Sequence, residues 1–238
     1  MTLHASRTTR FPRVRPLGDG GFTVEFGDTI DPEVNDRVLA FAAALDAMGL
    51  PGVTEVVPSY CAVAVYADPG VDEMDELADR LVALAATPNP GPTSFPRHVE
   101  IPVVYGDEYG PDLEEVAAFS GLPQERVILL HASVEYRAFM LGFSPGFPYL
   151  GPVPEAIAMP RRAEPRTRVA AGSVGLAASQ TGIYPIESPG GWRIIGRTPL
   201  DLYDASRPDP FLIRPGDRVR FRPIARNEYE RLARQSVH

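Results

Sequence analysis

Seven side chains between positions 131 and 192 have the types needed to build a site for a small polar molecule, four with polar or ionisable groups and three as apolar walls. His131 stands between a helical run and a strand pattern, five residues before Tyr136, and an imidazole there suits general acid–base work near neutral pH. The segment Ser179-Gln180-Thr181-Gly182-Ile183-Tyr184-Pro185 sets hydroxyl, amide and phenol groups beside a glycine that lets the backbone approach a ligand. Neutral groups of this kind recognise an amide or a carboxylate. Arg166, with Arg168 close behind it, precedes an Ala-Gly-Ser stretch, where a guanidinium can clamp a carboxylate or phosphate through two parallel bonds. Phe143, Phe147 and Trp192, the last following the permissive turn Ser188-Pro189-Gly190-Gly191, supply flat apolar walls. Each feature also has a plainer reading: a satisfied core histidine, a polar hairpin turn, a core tryptophan under a turn, a solvated arginine loop. Spacing does not choose between them.

Other chemistries are excluded more firmly. There is no Gly-x-Ser-x-Gly elbow, and Gly18-Asp19-Gly20-Gly21 has the wrong spacing for a dinucleotide fingerprint and precedes a strand pattern, not a helix. All 23 cationic side chains are arginine. A phosphate-binding loop lysine, a Schiff-base lysine or a biotin attachment lysine must therefore reside on another chain. His4, His98, His131 and His238 are scattered, with no cysteine or carboxylate at ligand spacing, so no metal site is expected. The single cysteine, Cys61, lies in an apolar strand pattern and is expected to be a buried, inert thiol; it cannot form an internal disulfide, which fits a reducing cytoplasm.

The scaffold for these groups is unusual. Positions 139 to 199 hold nine glycines and nine prolines, interleaved with Phe139, Phe143, Phe147, Tyr149, Tyr184 and the only tryptophan. Gly and Pro at that density suggest disorder, but each large ring buries enough apolar area to offset the chain entropy of a segment with few regular turns. An ordered scaffold of tight turns is expected. Downstream of Val134 the apolar runs are short and bounded by Gly or Pro, the pattern of a closed or nearly closed β-barrel.

Upstream, TPNPGPTSFPR (87–97) carries four prolines and marks a domain boundary. Before it, FTVEF alternates as a strand. Asp31 and Pro32 supply the cap and first position of a helix with Val34, Val38, Phe41, Leu45 and Met48 on one face, ended by Gly49. VTEVV and YCAVAVYA read as a strand pair, and a second helix presents Met74, Leu77, Leu81 and Leu84. The fold class is α+β: a two-layer α/β domain at 1–87, a linker at 88–97, a barrel domain at 98–226 opened by HVEIPVVY and helices within 112–131, and a terminal helix and tail at 227–238.

A formal net charge of −8 disfavours a nucleic-acid partner, despite the cationic run Arg161, Arg162, Arg166 and Arg168. No window approaches the ~20 apolar residues of a membrane span, and no apolar signal core is expected at the N-terminus.

Three blocks carry a family resemblance: IPVVYGDEYGPDLEEVA (101–117), VEYRAFMLGFSPGFPYLG (134–151) and AAGSVGLAASQTGIYPIESPGGWRIIGRTP (170–199). The chain resembles the B-type subunit of bacterial 5-oxoprolinase, a family also described as allophanate hydrolase subunit 1 and as the kinase-inhibitor KipI family. It departs where Val134 replaces a common glycine and where Ala178-Ser179 replaces a Gly-hydrophobic pair. The resemblance implies a cyclophilin-like barrel after the α/β domain, without implying isomerase activity. It further implies one half of a heteromer completed by the C-type subunit (allophanate hydrolase subunit 2), with a separate A-type subunit. The complex would act as a cytoplasmic, ATP-dependent hydrolase of a cyclic amide, with ATP and Mg expected near the partner interface. In that setting His131, Gln180 and Tyr184 become the expected catalytic groups and Arg166, Phe143, Phe147 and Trp192 the expected substrate contacts. Two other readings stay open: the carboxyltransferase-like half of a urea or allophanate system, and a non-catalytic inhibitor of a sensor histidine kinase.

Overall fold

The computed structural model describes residues 11–68, 74–87 and 96–235 and divides the chain into two compact units, Met1–Phe95 and Pro96–His238. The expected linker falls largely on residues 88–95, outside the described residues.

The first unit sets two helices on one antiparallel sheet. Strands β1 (Arg13–Pro16), β2 (Gly21–Glu25), β3 (Val53–Pro58) and β4 (Ala62–Ala67) lie in the order β1-β2-β4-β3. Helix α1 (Pro32–Met48) begins where the Asp31 carboxylate accepts from the Glu33 and Val34 backbone N–H groups, and ends at Gly49 in the left-handed region. Alternate sheet residues Phe22, Val24, Val63 and Val65 pack against Val38, Phe41 and Leu45 of α1 and Leu77 and Leu81 of α2 (Met74–Ala86). The helical pattern did not mark Asn35, which is fully buried and donates to the Ser59 and Tyr60 carbonyls, pinning α1 to the β3–β4 turn. Cys61 sits in that turn, ahead of β4 instead of within it. It is half-buried, and burial with the nearby Glu25 and Asp28 charges raises its thiol pKa, so it is a poor nucleophile.

In the second unit, β5 (His98–Tyr105), β6 (Glu135–Leu141), β7 (Pro148–Gly151), β8 (Arg166–Val169), β9 (Ser173–Ala177), β10 (Gln180–Ile183), β11 (Ser188–Gly190), β12 (Arg193–Arg197) and β13 (Arg218–Pro223) form the sheet structure. Seven of them close a barrel in the order β10-β7-β6-β13-β5-β12-β9, while β8 and β11 pair as a separate ribbon. Helices α3 (Leu113–Ser120) and α4 (Gln124–Ala132) send Leu113, Val116 and Val127 into the same core as Ile101, Leu150, Leu176 and Phe221. Helix α5 (Arg226–Gln235) is less of a tail than expected: Tyr229 packs its ring 4.8 Å from that of Tyr109.

Strands β9 and β10 are buried on both faces. Their inner residues, Val174, Leu176, Thr181 and Ile183, face the barrel core, and their outer residues lie beneath Phe147, Tyr184 and Trp192. This explains Gly182: a Cβ there would stand 3.0 Å from both the Phe147 and the Trp192 rings. The glycine-rich sequence thus lets an aromatic layer rest directly on the barrel wall.

Candidate functional site

His131 occupies the last turn of α4 and is fully buried. Its Nδ1 lies 2.8 Å from the Tyr105 hydroxyl and its Nε2 2.9 Å from the Thr181 Oγ1, and its ring stacks on Phe221 at 4.5 Å. Loss of hydration lowers its pKa to about 3. Both nitrogens are occupied and the ring meets no solvent, so the expected proton carrier is a core histidine tying α4 to the barrel wall. It shares no pocket with Gln180. Thr181 turns inward to His131, and side chains alternate along a strand, so Gln180 lies on the outer surface of the same wall.

The outer surface does bring together the other expected aromatics. The Phe147 ring lies 5.1 Å from Tyr184, 5.3 Å from Trp192 and 5.0 Å from Tyr149, mostly edge to face. Phe147, Tyr184 and Trp192 are nearly inaccessible, so they form the floor of this layer and leave its rim to others. Tyr184 accepts from the Trp192 backbone N–H, and burial raises its phenol pKa, which keeps it a neutral hydroxyl. Tyr149, marked in the sequence as one of the interleaved rings but not as a site residue, is half-buried at the rim beside Gly182. Phe143 is 63% exposed and holds a left-handed backbone with φ of 65°, a conformation that costs a non-glycine residue about 1 kcal/mol. Next to it a shallow cavity of about 310 Å³ is lined by Leu141, Ser144, Pro145, Gly146 and Phe211.

Arg166 is held differently from expectation. Its guanidinium makes two bonds, of 2.8 and 2.7 Å, to the carboxylate of Asp112, which is itself 3% exposed. Asp112 also accepts from Arg162 at 3.2 Å and from the Ile194 backbone N–H at 2.7 Å. It precedes α3 at the cap position without capping it, because its oxygens are directed to these partners. The clamp expected for a ligand therefore locks the 160–168 segment to the start of α3 and to β12. Asp112 stood in the acidic run DEYGPDLEEV, but nothing in that run distinguishes the buried carboxylate from the exposed ones. Arg193 and Glu115 extend the same lattice.

Arg161 rises from this locked segment with its guanidinium carbon 5.8 Å from the centre of the Trp192 ring. The site is an open shelf: an aromatic floor, Phe143 and Tyr149 at the edge, Gln180 on the same wall and a cation above. Such a shelf can bind and orient a planar anion. Among the described residues no three His, Cys, Asp or Glu side chains converge as a metal site.

The family model for the carboxyltransferase domain, subdomain C and D, matches residues 12–213. The chain is 40% identical over 243 residues to the 5-oxoprolinase B-type subunit of Bacillus subtilis, spanning 96% of this chain and 99% of that one. The solved structure of TTHA0988 superposes with a TM-score of 0.77 at 42% identity, covering 90% of this chain and only 40% of that chain. The urea amidolyase of K. lactis superposes with a TM-score of 0.76 at 20% identity over 94% of this chain and 15% of that one, a likeness of fold alone.

Proposed function

This chain belongs to the carboxyltransferase subdomain C and D family and to its 5-oxoprolinase B-type members, and from that premise we propose that it is one subunit of an ATP-dependent complex that hydrolyses 5-oxoproline to glutamate. The observation that carries the reading is the end-to-end match to the Bacillus subtilis protein, which leaves almost none of either chain unaccounted for.

The chemistry asks for two things. A lactam resists water because its nitrogen donates into the carbonyl, and ATP would supply a phosphoryl group to the carbonyl oxygen that removes this protection. The barrel's outer shelf supplies the other requirement, a surface that holds a small cyclic amide acid in one orientation. We assign ATP and Mg to residues of a C-type partner (the allophanate hydrolase subunit 2 type) or to the interface with it, and the later hydrolytic steps to an A-type partner. The absence of lysine from this chain agrees with that division, because an ammonium for the phosphates has to come from elsewhere. No helix among the described residues is long and apolar enough to cross a membrane, and we place the complex in the cytoplasm.

Coexpression with the C-type and A-type partners tests this directly. The chain should elute with its partners on sizing, and the complex should consume ATP and release glutamate with 5-oxoproline, not with urea or allophanate. ATP use driven by urea or allophanate alone would overturn the assignment in favour of a urea-degrading system. Two separate peaks at micromolar concentration would remove the heteromer.

A further inference from the structure

Three of the four arginines in the run 161–168 already have carboxylate partners within this chain. Arg162 and Arg166 bind Asp112, and Arg168 lies 2.6 Å from Glu187. Arg161 differs. It is exposed, it has no ion pair among the described residues, and its contact is the face of Trp192. A guanidinium held near an indole face by a cation–π attraction keeps its N–H donors available for an anion. The rings of Tyr149 and Trp192 are 5.9 Å apart, and the Arg161 charge bears on the phenols of both Tyr149 and Tyr184. Arg162, one residue further along, donates to the buried Asp112 and fixes the segment from which Arg161 projects.

We propose that Arg161 is the anion contact of the shelf, and that it receives the carboxylate of a small amide acid whose planar remainder lies against Tyr149. Arg166, the residue favoured by sequence, stabilises the segment and does not touch the ligand. The choice of amide acid rests on the function proposed above; the assignment of the anion contact rests on the geometry.

Trp192 is the only tryptophan in the chain, so its fluorescence reports on this site without labelling. The full chain is titrated with 5-oxoproline, with 2-pyrrolidinone (the same ring without its carboxylate), and with ATP and inorganic phosphate. A saturable response to 5-oxoproline is expected, weakened at least ~10-fold by removal of the carboxylate or by Arg161→Met, and unchanged by Arg168→Met. Arg161→Lys should restore part of the loss. In the assembled complex, Arg161→Met should raise the KM for 5-oxoproline more than it lowers kcat. No saturable response in the unmodified chain, an equal response in Arg161→Met, or a response to ATP or phosphate in place of 5-oxoproline would each overturn the proposal. If the complex turns over 5-oxoproline while Arg161→Met changes neither titration nor KM, this inference fails and the proposed function stands. If 5-oxoproline binds through Arg161 but the complex consumes a different amide, the reverse holds.

Discussion

The Nε2 atom of His131 and the Oγ1 atom of Thr181, 50 positions apart in the chain, lie 2.9 Å from each other inside the barrel wall. Thr181 in turn donates to the Gly175 carbonyl at 3.0 Å. With Thr181 Oγ1 donating to that carbonyl, the histidine Nε2 carries the proton and donates to Thr181, and the Tyr105 hydroxyl donates to Nδ1. A helix end, two strands and a phenol are thereby joined through one neutral imidazole.

That neutrality sets a pH dependence. The folded chain keeps His131 unprotonated down to about pH 3, whereas the unfolded chain protonates it near its ordinary value of about 6.5. Between these limits the unfolded state holds the extra proton. Stability from this group therefore declines as pH falls, at up to about 1.4 kcal/mol per unit. Urea unfolding at pH 7 and pH 5 should register the loss, and His131→Gln should flatten it. The same variant should lower stability at pH 7 by about 1–3 kcal/mol, since Tyr105 and Thr181 lose their partner geometry.

Asp112→Asn should destabilise the second unit by about 2–4 kcal/mol, because it weakens a buried carboxylate's bonds to two guanidinium groups and a backbone N–H. Arg166 is partly exposed, which holds the effect below that of a fully buried pair. Proteolysis within 160–168 should accelerate in the variant. Arg166→Ala should behave as a milder version of the same defect, seen in thermal unfolding and not as a selective rise in KM.

Two left-handed residues should respond in opposite ways. Ala178, with φ of 50°, occupies the turn between β9 and β10 where the family pattern carries glycine, and the turn is exposed. Ala178→Gly should therefore raise stability by about 0.5–1 kcal/mol with activity unchanged. Phe143 carries the same kind of strain with its ring largely in solvent. Phe143→Gly should change stability by less than about 1 kcal/mol, because relief of strain offsets the lost edge contacts to Phe147 and Tyr184. The activity of the assembled complex should nevertheless fall at least ~10-fold, about 1.4 kcal/mol of lost transition-state stabilisation. Denaturant midpoints and steady-state rates on the two variants separate these outcomes.

Sequence alone determined many of the elements and the fold class. Capping residues and spacing set the limits of α1 at Asp31 and Gly49, apolar alternation marked the strand pair before residue 68, the Gly–Pro blocks with interleaved rings pointed to an ordered scaffold of tight turns, and the short apolar runs to a closed or nearly closed barrel. These are local properties, written in neighbouring residues. What chemistry each polar group retains is not local. Gln180 and Thr181 are adjacent in sequence, yet the strand's period of two sends one outward and the other to a histidine in the core. Arg166 and Arg161 look alike in sequence, yet only the fold brings Asp112, 54 positions before Arg166, to neutralise one guanidinium, and sets the other 5.8 Å from the centre of the Trp192 ring. Burial and long-range pairing decide whether a charge is structural or available to a ligand, and both are set when the barrel closes.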